Sequence, residues 1–425
     1  MLVLKAGYRE AARSLFCEAV RHHPNNPTGH VNLGNLLLLL GEQTGARTLF
    51  ETALKIDPGH VHAHRGMGNL LAELGDELGA RRHRDKGFRN HCLTTLPYRG
   101  DAAPISVLLL VAAAGGNIPT SAFLDDRCFQ TTVLVAEYAN PDARLPPHDL
   151  IFNGIGDADL CDEALEAAST LVDKSRQPVI NHPRTVLGTG RVVIAERLGR
   201  LPGVIVPRMV KLPRRSLCGA ETFAVAAENG FTFPLLLRAP GFHTGRHFVR
   251  VETTGQLAEA AAQFPGEEVW LIEPLDASDG RGMFRKYRVM FIEGKLYPLH
   301  LAISRNWKVH YFTADMAGCA ENRACDAAFL NDIRIIGGKA VAALEAIPAA
   351  LGLDYGGIDF AVSGDGDILF CEANATMVVY PPVRDPKWDY RRQAVDAVLN
   401  AVHSMLAQRA EAPTNRCLRR PAVEF

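Results

Sequence analysis

Tyr355-Gly-Gly-Ile-Asp-Phe-Ala-Val-Ser-Gly-Asp-Gly-Asp-Ile-Leu-Phe-Cys-Glu-Ala-Asn374 reads as two short strands around a Gly/Asp turn. Each strand carries a carboxylate, and an amide follows two residues after the second. With Ser363 paired to Ile368 across the turn, Asp359 lies directly opposite Glu372, their side chains on one face about 5 Å apart. Period-two alternation puts Asn374 on the Glu372 side. Three hard oxygen donors converging in this way suit Mg²⁺, which takes a few carboxylates and leaves positions for phosphate oxygens. The reading is therefore a metal set of Asp359, Glu372 and Asn374, pointing to nucleotide chemistry in a chain with no P-loop. The competing reading pairs Asp359 with an arginine and uses Asn374 to cap the next turn. Asp365 and Asp367 belong to turn chemistry, because no Glu stands where a calcium loop needs one.

Bulk properties narrow the class. The chain has 425 residues, room for two to four domains, with 47% hydrophobic and 22% charged residues. A net charge of -1 gives no bulk electrostatic case for nucleic acid or anionic membrane. Nine cysteines without a C-x-x-C pair fit a reducing cytosol, so a cytoplasmic protein is expected. No segment approaches the roughly 20 apolar residues of a membrane span, and the N-terminus does not read as a secretory signal.

The first ninety or so residues repeat at a period of 34: Gly7, Gly41 and Gly75 align, as do Ala12, Ala46 and Ala80. Leu15 and Leu49, Phe16 and Phe50, Ala19 and Ala53, Pro24 and Pro58, and Gly34 and Gly68 follow the same period. Helix, Gly turn, helix, Pro is a helical hairpin in which small residues allow close approach and Pro ends the second helix. These repeats, over 1–98, resemble tetratricopeptide repeats; the first unit lacks its first helix, and Cys92 stands where a closing Pro is due. About two and a half repeats is near the minimum for a solenoid, so they are expected to pack on the body of the protein or on a second copy as a homodimer. The alternatives are a stability or dimerisation element and a groove for a peptide or protein partner. His22, His23, His60, His62 and His64 fall by the inter-repeat turns, where solvated helix-end histidines are favoured over a metal site.

Arg99 to Pro104 breaks the helical period and reads as a linker. Ile105–Ala112 is then a continuous apolar run, hence a buried strand. Thr131–Ala136, Leu150–Asn153 and Pro178–Asn181 are further strands, and Asp162–Lys174 is a helix, which together imply a parallel sheet. Gly115-Gly116 lacks the full G-x-G-x-x-G and reads as a tight strand-to-helix turn. Beyond Asn181-His-Pro come helix Val192–Leu198, strand Leu235–Arg238, the loop Ala-Pro-Gly-Phe-His-Thr-Gly-Arg246 and strand His247–Glu252. A glycine-containing loop between strands can fold over phosphates and offer backbone N–H groups. Val269-Trp-Leu-Ile-Glu-Pro-Leu275 reads as an apolar strand running into a hinge, and Tyr287–Ile292 with Leu296–Ser304 as a hairpin carrying Arg288, His300 and Arg305.

In this order the pieces resemble the ATP-grasp superfamily, nearest its glutamate-ligase and D-alanine–D-alanine-ligase branch. The resemblance covers roughly residues 103–408. It implies an α/β pre-ATP-grasp domain at 103–182 and an α+β ATP-grasp domain at 183–410, with a small lid subdomain near 210–272, a large one near 273–410 and a tail at 411–425. The whole chain is thus expected to be multidomain, all-α repeats followed by α/β and α+β parts. The resemblance implies ATP and two Mg²⁺ ions on Asp359, Glu372 and Asn374, and ATP contacts from Arg191, Arg238, His247, Glu273, Pro274, Leu275 and Lys308. Arg288 and Arg305 take the catalytic positions, and Gly241, His243, Thr244 and Gly245 the lid loop. Arg191, Arg238 and His247 stand where the family usually has lysines; Arg keeps the charge and forks onto phosphate oxygens, and His247 would be a weaker, pH-dependent contact.

What the resemblance implies chemically is an ADP-forming carboxylate–amine ligase. The γ-phosphate activates a small-molecule or peptide carboxylate, and an amine attacks the acyl phosphate. Such chemistry needs positioning and charge neutralisation more than covalent help. The competing functions are a degenerate ATP-grasp binding or regulatory protein, favoured by the missing lysines, and an ATP-grasp kinase or ester-forming ligase.

Overall fold

The computed structural model describes residues 8–219, 222–242, 245–311 and 313–411. His243 and Thr244 of the expected lid loop, and the tail from 412 on, lie outside the described residues. The chain divides into two compact units, the first ending at Thr94 and the second beginning at Thr95.

The first unit is built from α1 (Arg9–His22), α2 (Pro27–Leu39), α3 (Gln43–Ile56), α4 (Val61–Glu73) and α5 (Glu77–Phe88). Its sequence period is also a conformational period. Gly41 and Gly75 both end a helix with φ +80°, a left-handed turn that costs glycine little. Asn26 caps α2 and His60 caps α4, again 34 apart. Ala46, Phe50, Ala53, Ala63 and Ala80 are fully buried. A Cβ on Gly34 would meet the Phe50 ring at 2.8 Å and one on Gly66 at 2.5 Å, so these two glycines make the room that the ring fills. Full burial of such a ring contributes about 2–3 kcal/mol. One expectation fails here. His64 is not a solvated helix-end residue but is buried, its Nε2 3.0 Å from the Pro58 carbonyl and its Nδ1 3.0 Å from His83 Nδ1. His30, one period earlier, repeats the first bond at 2.7 Å to Pro24.

The second unit opens with a parallel sheet of β1 (Ile105–Val111), β2 (Phe129–Val135), β3 (Leu150–Asn153) and β4 (Val179–Ile180), in the order β2-β1-β3-β4. Its apolar strands are nearly all buried, as parallel strands covered on both faces must be. Helices do not alternate with every strand as expected. Among the described residues α6 (Asp162–Val172) alone joins consecutive strands of this sheet as an α-helix. Gly115-Gly116 does not lead into a helix: the chain bridges Asn117 to Ile155 and continues as turns, with the Gly116 carbonyl accepting from Gly156 and Asp157.

After α7 (Pro183–Leu187), α8 (Arg191–Leu198) and β5 (Val204–Ile205), a four-stranded antiparallel sheet follows in the order β6-β9-β7-β8. Its strands are β6 (Met209–Pro213), β7 (Leu235–Arg238), β8 (Phe248–Val251) and β9 (Glu268–Ile272). Helices α9 (Thr222–Glu228) and α10 (Thr254–Gln263) complete its core, where Leu235, Leu237, Val251, Leu257, Val269 and Leu271 are buried together.

The last sheet, in the order β11-β10-β12-β13-β5, holds β10 (Phe284–Ile292), β11 (Lys295–Ser304), β12 (Tyr355–Val362) and β13 (Ile368–Asn374). Helices α11 (Ala320–Asn331), α12 (Gly338–Leu351) and α13 (Arg392–Glu411) cover it. Asn181 anchors the start of β12: its side chain donates to the Tyr355 carbonyl at 2.7 Å and accepts from the Tyr355 N–H at 2.9 Å. A buried amide thus stands in for a neighbouring strand, satisfying both backbone groups.

Candidate active site

The β12–β13 register brings Asp359 opposite Glu372, though not by the route the turn suggested. The strands pair Val362, not Ser363, with Ile368, and the Ser363 N–H bonds the Asp367 carbonyl at 2.9 Å. An extra residue, Cys371, between Phe370 and Glu372 forms a bulge that restores the expected pairing at the carboxylates. The same rung extends across the sheet, for Arg288 on β10 lies opposite both Asp359 and His300. His300, Arg288, Asp359 and Glu372 therefore form one transverse row from four adjacent strands.

Within this row Asp359 is fully buried and both of its oxygens are engaged. Arg288 forks onto it, Nε to Oδ1 at 2.6 Å and Nη2 to Oδ2 at 2.9 Å, and Lys286 Nζ reaches Oδ2 at 2.9 Å. Burial alone would raise the Asp359 carboxyl; Arg288 and Lys286 outweigh it and hold the group far below the usual carboxylate range. Burial and the neighbouring Asp359 likewise push Glu372 up, and Arg238, Arg191 and Lys286 together bring it below its ordinary value. Among the described residues Glu372 has one direct cation, Arg191 Nη2 at 3.4 Å. Arg238 faces the same region and is pushed down to about 10 by burial and by Arg191, with Asp157 and Asp159 opposing that shift. Burial, reinforced by Arg288, lowers His300 well below its ordinary value, so it sits in the row as a neutral imidazole.

Other expected residues have different partners. Asn374 Oδ1 accepts from the Thr376 N–H at 2.9 Å and hydroxyl at 2.8 Å, capping the next turn. Glu273 Oε2 accepts from the Arg208 N–H at 3.0 Å, and its own N–H bonds the Arg208 carbonyl, which ties the end of β9 back to the residue before β6. Pro274 and Leu275 follow, half-buried. His247, at φ +47°, packs its ring against Phe242 at 4.5 Å and Phe264 at 5.6 Å. Lys308 Nζ is held by the carbonyls of Gly245 at 3.3 Å and Phe248 at 3.2 Å, and Trp307 lies edge-on to Phe248 at 5.3 Å. These contacts fasten the base of the Gly241–Gly245 loop to the segment after β11. Arg238 Nη2 bonds the Phe242 carbonyl in the same loop at 3.1 Å. Arg305 does not join the row: it lies just past Ser304, the end of β11, five residues or about 17 Å of extended chain from His300. It lines a 620 Å³ cleft with Arg250, Glu252, Phe284, Asn306 and Trp307.

Lys286 joins the site without having been expected there, although the sequence carries its signal. Lys286-x-Arg288 places two cations on one face of a strand by period-two alternation. Asp157 and Asp159 had no such signal, since only the fold brings their loop to Arg191, whose N–H donates to Asp159 at 2.9 Å.

The donor set can be tested for Mg²⁺. Glu372 has open lone pairs and fits a hard cation. Asp359 Oδ1 keeps one lone pair beside Arg288 Nε, while Oδ2 is shared by Arg288 and Lys286, and Asn374 fits only after releasing Thr376. As arranged, the three do not form a cage.

No family model matches the chain, and no curated protein matches it. Among solved structures it is similar to the VanG D-Ala:D-Ser ligase from Enterococcus faecalis, at 14% identity and TM-score 0.43, covering 70% of this chain and 99% of that one. It is also similar to D-alanyl-alanine synthetase A from Vibrio cholerae, at 14% identity and TM-score 0.45, over 72% of this chain and 100% of that one. A RimK domain protein ATP-grasp from Sphaerobacter thermophilus is similar at 15% identity and TM-score 0.43, over 71% of this chain and 98% of that one.

Proposed function

We propose that the second unit is an ATP-dependent carboxylate–amine ligase. The observation that carries this reading is the Arg288–Asp359–Glu372 row, ringed by Lys286, Arg191 and Arg238 and bordered by a glycine loop. Phosphoryl transfer asks a protein for fixed positive charge around phosphate oxygens; three cations held by two carboxylates, with Arg238 held by the Phe242 carbonyl, supply it with little reorganisation. The substrate carboxylate attacks the γ-phosphorus and ADP leaves. The amine then attacks the acyl carbon and phosphate leaves. Arg191, Arg238 and Lys286 bind phosphate oxygens, and Arg288 positions Asp359. Arg305 contacts substrate from its cleft. Gly241, Gly245 and Lys308 keep water out as the loop closes. Glu273, Pro274 and Leu275 meet the adenine and ribose, with His247 shaping the loop. Glu372 would hold Mg²⁺ arriving with the nucleotide, which when bound supplies further charge neutralisation.

The first unit is proposed as tetratricopeptide-like, recruiting a peptide or protein, with a homodimer as its other use. The proposed setting is the cytoplasm, the substrates are a small-molecule or peptide carboxylate and an amine, and neither nucleic acid nor membrane is a partner. Among the described residues no helix is long and apolar enough to cross a membrane.

A second reading, a nucleotide-binding regulatory body without turnover, is favoured by Asp359 being paired to two cations and by Asn374 acting as a cap. Purified full-length protein incubated with ATP, magnesium and pools of amines and carboxylates separates the two. Release of ADP and phosphate coupled to a condensed product supports the ligase. ATP-induced thermal stabilisation without turnover supports the regulator, and AMP formation rejects both.

A further inference from the structure

Arg391 closes the short 3-10 turn Pro386–Arg391 that leads into α13, and it is 9% exposed. Its guanidinium carbon lies 4.1 Å from the centroid of the Tyr311 ring. Tyr311 in turn contacts His300 at 4.6 Å and Trp388 at 6.2 Å, so Arg391 is reached from the Arg288 row through two aromatic contacts. The nearest anion is Asp326, with 3.8 Å between Arg391 Nε and Asp326 Oδ2, too long for a hydrogen bond. Asp326 is already engaged: Oδ1 accepts from the Leu301 N–H at 2.7 Å and Oδ2 from the Tyr390 hydroxyl at 2.6 Å. Among the described residues Arg391 Nε has no hydrogen-bond partner.

A buried guanidinium N–H without a hydrogen bond is costly, because Nε has lost water and gained no acceptor. Such a group is expected to have an anion as its missing partner. Stacking on Tyr311 covers one face of the planar guanidinium and leaves its N–H edge as the binding surface, which matches a coplanar, bidentate carboxylate better than a tetrahedral phosphate. We propose that Arg391, stacked on Tyr311, whose ring in turn meets Trp388, is the anchor for a carboxylate of the substrate. The inference rests on the ligase reading above and specifies one chemical class for its substrate: a small molecule or peptide end with a free carboxylate at this position.

The test uses the full chain as wild type, Arg391→Lys and Arg391→Met, with sodium acetate and sodium phosphate each compared with sodium chloride at equal ionic strength. Thermal unfolding and tryptophan emission are read together. The expected result is a saturable acetate-dependent rise in Tm, with an emission change that Trp388→Phe removes. Arg391→Lys should weaken the acetate response at least tenfold, because one point charge replaces the fork, and Arg391→Met should abolish it. An equal acetate response in wild type and Arg391→Met, no acetate response in wild type, or a response to phosphate in preference to acetate would each overturn the proposal. If Arg391→Met does not fold, the lysine variant still decides. Mg·ATP binding, measured in parallel on wild type and Glu372→Gln, reports separately on the ligase reading. A response to acetate without ATP binding removes the ligase and keeps the carboxylate subsite.

Discussion

Arg288 and Asp359 face each other across adjacent strands, and the guanidinium forks onto both carboxylate oxygens at 2.6 and 2.9 Å. Asp359 is fully buried, so removing Arg288 leaves a charge with Lys286 as its remaining direct cation. Breaking such a buried pair costs about 3–5 kcal/mol. Arg288→Ala should lose that much in urea denaturation, and Arg288→Lys less. A loss under about 1 kcal/mol would mean the pair is solvated and the row is not a fixed framework.

Glu372→Gln keeps shape and removes a charge at the carboxylate of the row whose direct cation among the described residues is Arg191 at 3.4 Å. Turnover should fall about a hundredfold, on the order of 3 kcal/mol of transition-state stabilisation, with Tm little changed. ATP-induced stabilisation in wild type should also weaken when EDTA replaces magnesium. Unchanged turnover in Glu372→Gln would remove this residue from the machinery.

Lys308→Met cuts the two hydrogen bonds to the Gly245 and Phe248 carbonyls. Hydrogen exchange in residues 245–251 should quicken, while global stability changes by no more than about 1 kcal/mol. If the loop shields the acyl phosphate, ADP release will exceed product formation in this variant. Exchange identical to wild type argues against the fastening.

The first unit carries a pH dependence. Burial is the main cause lowering His62, His64 and His83, and for His83 the adjacent His64 adds to it. A histidine whose folded pKa is depressed lets the unfolded chain take up protons first. Stability from these groups is therefore present above about pH 6.5 and lost as pH falls below it. Hydrogen exchange of α4 and α5, taken relative to the intrinsic rate at each pH, should accelerate between pH 7 and 5.5. In His64→Gln that acceleration should shrink; an unaltered pH response would place its origin elsewhere.

Phe50 tests the packing of the repeats. Phe50→Ala should cost about 3–5 kcal/mol, because a cavity replaces a ring enclosed by Gly34 and Gly66. Gly66→Ala should also destabilise, since its Cβ would fall 2.5 Å from that ring. A neutral Gly66→Ala would show that the ring moves aside.

Much of the architecture was legible because it depends on local periodicity. The 34-residue period placed Gly41 and Gly75 at left-handed turns, and apolar runs placed β3 at Leu150–Asn153 and β7 at Leu235–Arg238. The opposition of Asp359 and Glu372 was legible too, since a hairpin turn constrains which residues can pair. The bulge at Cys371 was not, because an extra residue in one strand is decided by packing of the whole sheet.

What the sequence by itself determined was which residue types could meet on one face of a strand: Lys286 with Arg288, and Glu372 with Asn374. What only the tertiary structure decided was whom each of them serves. Asp359 is bound by Arg288 and Lys286, Asn374 by Thr376, Glu273 by Arg208 and Lys308 by the glycine loop. Side-chain direction follows from alternation along a strand, a local property. Partnership follows from burial, where every charge and polar group competes for the few complementary atoms within reach, and that competition is settled between segments far apart in the chain.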